Sequence, residues 1–88
     1  MNLQLEDFGS IGLMRVLETV TKYGPLNISL LGRKTGLNHG SCDIHVKKLI
    51  ELGLVEEERY NTIRMIKPAF DSFTIRFKRG IGPKMIRK

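Results

Sequence analysis

Leu31-Gly32-Arg33-Lys34-Thr35-Gly36-Leu37-Asn38, residues 31–38, is the stretch on which the architecture of this chain turns. Gly36 breaks a short helix that starts near Asn27, whose side chain can cap the free amides of a first turn, and runs through Leu31 to Thr35. Asn38 can cap the next helix in the same way. In that helix Cys42, Val46, Leu49 and Ile50 follow at the i, i+4, i+7, i+8 spacing that lines one face. Gly53 stops it.

Upstream, Ser10 precedes Leu13, Val16, Leu17 and Val20 at helical spacing, which predicts a first helix over about 10–23. Gly24-Pro25 ends it, with Gly24 expected in the left-handed conformation that often closes a helix. Beyond Gly53 the period changes. Leu54 to Arg59 and Thr62 to Lys67 are β-compatible runs separated by Tyr60-Asn61, and Asn tolerates positive φ, so an antiparallel hairpin ended by Pro68 is expected. Residues 69–88 fit two patterns: Phe70, Phe73, Phe77 and Ile81 make a helical stripe, while Phe73 to Lys78 alternates as a strand does. β-branched and aromatic enrichment favours the strand, with Gly80-Ile81-Gly82 turning the chain into a last short segment.

A chain of 88 residues has room for one core, and 41% hydrophobic with 27% charged residues is the composition of an ordinary folded domain. A single cysteine forms no internal disulfide, which suits a reducing compartment. Residues 1–7 lack the basic and apolar segments of a signal peptide, and no apolar run approaches the length of a membrane span. A cytoplasmic, non-membrane protein is therefore expected. The net charge of +6 is unevenly placed. Residues 1–58 carry six basic and eight acidic side chains, whereas residues 59–88 carry nine basic ones against Asp71 alone. A basic last third on a slightly acidic body points to a polyanion-facing surface.

Leu31 to Asn38, then Cys42, Val46, Leu49 and Gly53-Leu54-Val55, resembles the winged helix-turn-helix pattern of small bacterial and archaeal transcription regulators over about 25 residues. The resemblance implies a small residue at Gly32 where two helices approach, positive φ at Gly36, and burial of Leu31, Leu37, Cys42, Val46 and Leu49. It makes Gly53-Leu54-Val55 the exit into the wing. The fold expected is α+β: three helices and a small antiparallel wing of two or three strands over residues 1–68, with residues 69–88 a basic extension packed on the same domain, further strands included.

If the helix after Asn38 is the recognition helix, His39, Gly40, Ser41, Asp43, Ile44, Lys47 and Lys48 face outward toward a major groove. Asp43 and Ile44 depart from the small polar and basic residues usual at such positions; Asp can accept from cytosine N4 and Ile can touch a thymine methyl. Solvated residues on an exposed helix face would look the same. Arg59, Tyr60, Asn61 and Arg64 stand around the wing turn, where basic side chains reach phosphates, although charged edge strands also serve to prevent aggregation. Lys78 and Arg79 would extend the footprint.

Other chemistries find little support. His39, Cys42 and His45 recur every three residues, but His39 and His45 then stand about 120° apart around a helix, too spread for one ion. Cys42 reads as a small core residue. Gly80-Ile81-Gly82 lacks the strand, helix and lysine of a phosphate loop. Consecutive Glu56, Glu57 and Glu58 on a strand point to alternate faces, and no nucleophile has an evident base, so no enzymatic role and no cofactor are expected. The leading expectation is sequence-preferring binding of double-stranded DNA by a nucleoid-associated transcription regulator or minor chromatin protein. The alternatives are a winged-helix module that binds another protein in transcription or replication machinery, and RNA binding through the basic tail. A homodimer could use Leu3, Leu5 and the Phe73-Ile75-Phe77 strand.

Overall fold

The computed structural model describes residues 10–88, which form three helices and two small antiparallel sheets in an α+β arrangement. Helix α1 spans Ile11–Tyr23, α2 Ile28–Thr35 and α3 His39–Glu51. Each begins on the residue whose side chain can accept early amides. Ser10 Oγ accepts from the Leu13 amide (3.2 Å), Asn27 Oδ1 from Leu30 (2.8 Å) and Asn38 Oδ1 from Ser41 (2.8 Å). Gly36 closes α2 at φ 78°, and its amide returns to the Gly32 carbonyl.

The strands are β1 Leu26–Asn27, β2 Val55–Tyr60, β3 Ile63–Pro68, β4 Phe73–Lys78 and β5 Gly82–Arg87. The first sheet has the order β1-β3-β2, all antiparallel, with Leu26 opposite Ile66 and Val55 opposite Pro68. β4 and β5 pair only with each other, Phe73 opposite Arg87 and Lys78 opposite Gly82. The strand reading of 69–88 therefore holds, and the last segment is a strand as well.

One core unites the helices and the first sheet. Val16, Val20, Leu31, Cys42, Val46, Leu49, Leu54 and Ile66 are fully buried. Phe70, Phe73 and Met85 pack against its edge and bring the root of the second hairpin to the body. The Ala69 amide donates to the Leu54 carbonyl (3.0 Å) and Arg87 Nη1 to the Gly53 carbonyl, so this root sits at the C-terminal end of α3.

Four sequence expectations are corrected. Gly24 is extended (φ −58°, ψ 156°), not left-handed, because the ring of Pro25 confines the residue before it to extended backbone. The first hairpin turns at Asn61-Thr62, one residue later than expected, since Tyr60 pairs with Ile63; Asn61 does adopt φ 59°. Ile50 is 39% exposed, beyond the edge of the buried face of α3, and Leu37 is only partly buried. Leu3 and Leu5 lie outside the described residues.

Candidate nucleic-acid interface

α3 is held by its buried side, so its outer side follows from geometry. With Cys42, Val46 and Leu49 inward, His39, Gly40, Ile44 and Lys47 are exposed, while Ser41, Asp43 and Lys48 are half-buried at the margins. Ile44, 68% exposed, stands at the centre of this side. The turn before α3 is tied down from within: Thr35 Oγ1 donates to the Leu31 carbonyl (2.8 Å), accepts from the Leu37 amide (3.3 Å) and lies 3.7 Å from Cys42 Sγ. A hydroxyl buried in this way needs those partners, and they fix the angle between α2 and α3. A Cβ on Gly32 would lie 3.0 Å from the Leu37 carbonyl oxygen, so the turn is closed around a missing side chain.

The first hairpin is clamped to α3 by ion pairs. Arg64 Nη1 meets Asp43 Oδ1 at 2.7 Å, and its Nε and Nη2 lie 2.7 and 2.6 Å from Glu57 Oε1. Lys47 Nζ adds a contact to Asp43 Oδ2 at 3.0 Å, and Arg59 Nε one to Glu57 Oε2 at 3.4 Å. Arg64 thus faces two carboxylates rather than the solvent around the turn. It positions β3 against α3, where the sequence suggested a phosphate contact. Hydrogen bonding to Arg64 holds Asp43 and Glu57 below the usual carboxylate range and raises Arg64 in turn. Asp43 is thereby matched by cations on both sides, which offsets its repulsion of a phosphate.

Tyr60, Asn61, Thr62 and Ile63 are exposed at the hairpin end. The Tyr60 hydroxyl donates to Glu58 Oε2 (2.6 Å), and Glu58 also pairs with Lys67; Lys67 and then Tyr60 hold the Glu58 carboxyl low, and Glu58 raises both partners. Between this end and the N-termini of α2 and α3 lies an open cleft of about 400 Å³, lined by Asn27, Ile28, Ser29, His39, Thr62, Ile63 and Arg64. The sequence pointed to its two walls separately and gave no sign that they meet. Lys78 and Arg79 are exposed at the tip of the second hairpin, whose root lies at the opposite end of α3 from His39. His45 packs over Gly12 of α1, where a Cβ would collide with His45 Nε2. Gly12 is a close approach that the sequence did not announce. Among the described residues no helix is long and apolar enough to cross a membrane.

The described residues define an α+β arrangement of three helices and small antiparallel sheets that presents one helix beside a hairpin end. A solved structure with this chain path is RV1404 from Mycobacterium tuberculosis, with a TM-score of 0.61 and 19% identity over 67% of this chain. The chain spans 42% of that protein's length. No family model and no curated protein matches the chain.

Proposed function

We propose that the chain is a winged helix-turn-helix module that binds double-stranded DNA, with α3 in the major groove and the β2–β3 turn as the wing, acting in transcription regulation or chromatin organisation. The observation that carries this reading is the outward side of α3 fixed beside the hairpin end by the Asp43–Arg64–Glu57 bridge. Those two elements border one cleft and are spaced by a rigid link, as simultaneous contact with a groove and the adjoining backbone requires. Lys47 and Arg59 supply exposed cations on either side of that bridge, paired with Asp43 and Glu57, with side chains 69% and 64% accessible. Each pairs through its exposed end with a half-buried carboxylate that Arg64 also holds, so a phosphate can draw Lys47 or Arg59 away and leave that carboxylate partnered. Ser41, half-buried at the first turn, and Ile44 are the groove-facing groups, one polar and one suited to a thymine methyl.

Titration of labelled duplexes at several salt concentrations tests this. Lys47→Ala and Arg59→Ala should each weaken binding to all sequences alike and lower the slope of log K against log salt by about 1. Ser41→Ala should alter preference among sequences and leave that slope in place. Wild-type protein that ignores duplex DNA at low salt overturns the reading. The exposure of Ile44 would then favour a winged-helix module that docks on another protein, and retained binding to single-stranded RNA would favour an RNA-binding tail.

A further inference from the structure

The second hairpin has two unlike faces. Cross-strand pairing puts Ile75 with Met85 and Phe77 with Pro83 on one side, and Arg76 with Lys84 on the other. The root of the apolar side packs on the core through Phe73 and Met85. Its tip does not: Phe77 is 66% and Ile81 67% exposed, flanked by Lys78 and Arg79.

Elsewhere on the same molecule is a groove of about 580 Å³ between α1 and the chain that leads into β4. Met14, Leu17, Phe70 and Phe73 are its apolar lining, and its charged residues are Glu18 and Asp71 with the single cation Lys22. The tip and the groove match in two respects. Two large apolar side chains meet an apolar trough, and the two cations of the tip meet a lining of net negative charge, in which Glu18 and Asp71 outnumber Lys22.

We propose that the β4–β5 tip of one copy seats in the α1 groove of a second copy, and that the second copy returns the same contact. The tip cannot reach its own groove. Phe73 already forms part of the lining, and Phe77 lies four strand residues further on, about 13 Å away along a paired hairpin that cannot double back. Each copy carries one tip and one groove, and the reciprocal contact about a two-fold axis fills both and closes the assembly at two, whereas a one-way contact would leave a tip and a groove free at the ends of a growing chain. Two equal seats also divide the burial a stable dimer needs, about 800 Å² per partner, between the two contacts.

The test is charge exchange on the full chain, read by sedimentation equilibrium at micromolar concentrations. Wild-type protein should have twice the monomer mass. K78E/R79E makes the tip acidic against an acidic lining, and E18K/D71K makes the lining basic against a basic tip, so each variant alone should sediment as a monomer. Mixed in equal amounts, they should recover the dimer, because both tip-and-groove contacts in the mixed pair then join opposite charges. All four positions are exposed, and circular dichroism should show unchanged helix content. A wild-type monomer throughout the concentration range, a dimer that survives both double substitutions, or a mixture that stays monomeric would each overturn the proposal.

Discussion

At the residue scale, two glycines mark where this molecule is tightest. A side chain on Gly32 would press on the Leu37 carbonyl oxygen at 3.0 Å, a backbone atom that cannot move without reopening the turn. Gly32→Val should therefore cost about 1–3 kcal/mol, the usual range for overpacking, and lower the melting temperature by roughly 4–8 °C for each kcal/mol. Unchanged thermal unfolding would show that the turn has slack. Gly12 differs, because the atom in its way is the far end of His45, which can rotate aside. Gly32 was expected at a close approach through the resemblance to winged helix-turn-helix regulators, and Gly12 lies outside the stretch that carries that resemblance. Separation along the chain divides the three caps from Arg64. Ser10, Asn27 and Asn38 each act on an amide three residues on and could be read directly. Arg64 meets a carboxylate 21 positions earlier, and no local pattern announces that.

At the scale of elements, the join between α3 and the β2–β3 hairpin adds an electrostatic bridge to the shared apolar core, and that part should respond to acid. Asp43, Glu57 and Glu58 all have carboxyls held below their ordinary range in the folded protein, through Arg64 for the first two and Lys67 for the third. A depressed folded value means that the unfolded chain takes up protons first. The contribution is present above the ordinary carboxylate range near pH 4, and is lost as pH falls through the lower folded values. Unfolding in denaturant between pH 5 and 2 should show stability falling in this window. D43N/E57Q should flatten the fall, and an identical acid slope in that variant would mean that these pairs do not hold the hairpin. Caps and periodicity found the three helices of the described residues and the first hairpin, since core spacing and strand alternation are properties of single segments. In residues 69–88 periodicity fitted helix and strand alike, residue type favoured the strand, and the pairing of β4 with β5 was not read. Periodicity misplaced the Asn61-Thr62 turn by one residue, because register is set by the pairing of two strands. The cleft between hairpin end and helix N-termini was equally illegible, as its walls come from three elements.

At the scale of the whole molecule, the chain is elongated, 46 × 23 × 20 Å, and its two sheets share no strand. The ladder of β4 and β5 can come apart without breaking a backbone hydrogen bond of the first sheet. A two-stranded ribbon is marginal alone and here leans on Phe73, Met85 and the Arg87 contact to Gly53. Native-state hydrogen exchange should therefore divide the amides into two populations. Those of α1, α3 and β3 should exchange only through global opening, and those of residues 74–86 through a cheaper local opening with its own denaturant dependence. A single common exchange free energy would mean that the two parts open as one. If they separate, the energy landscape of this chain has a half-open species in which the body stays intact while the ribbon is loose, and a protease would record it as a first cut after a basic residue of that ribbon.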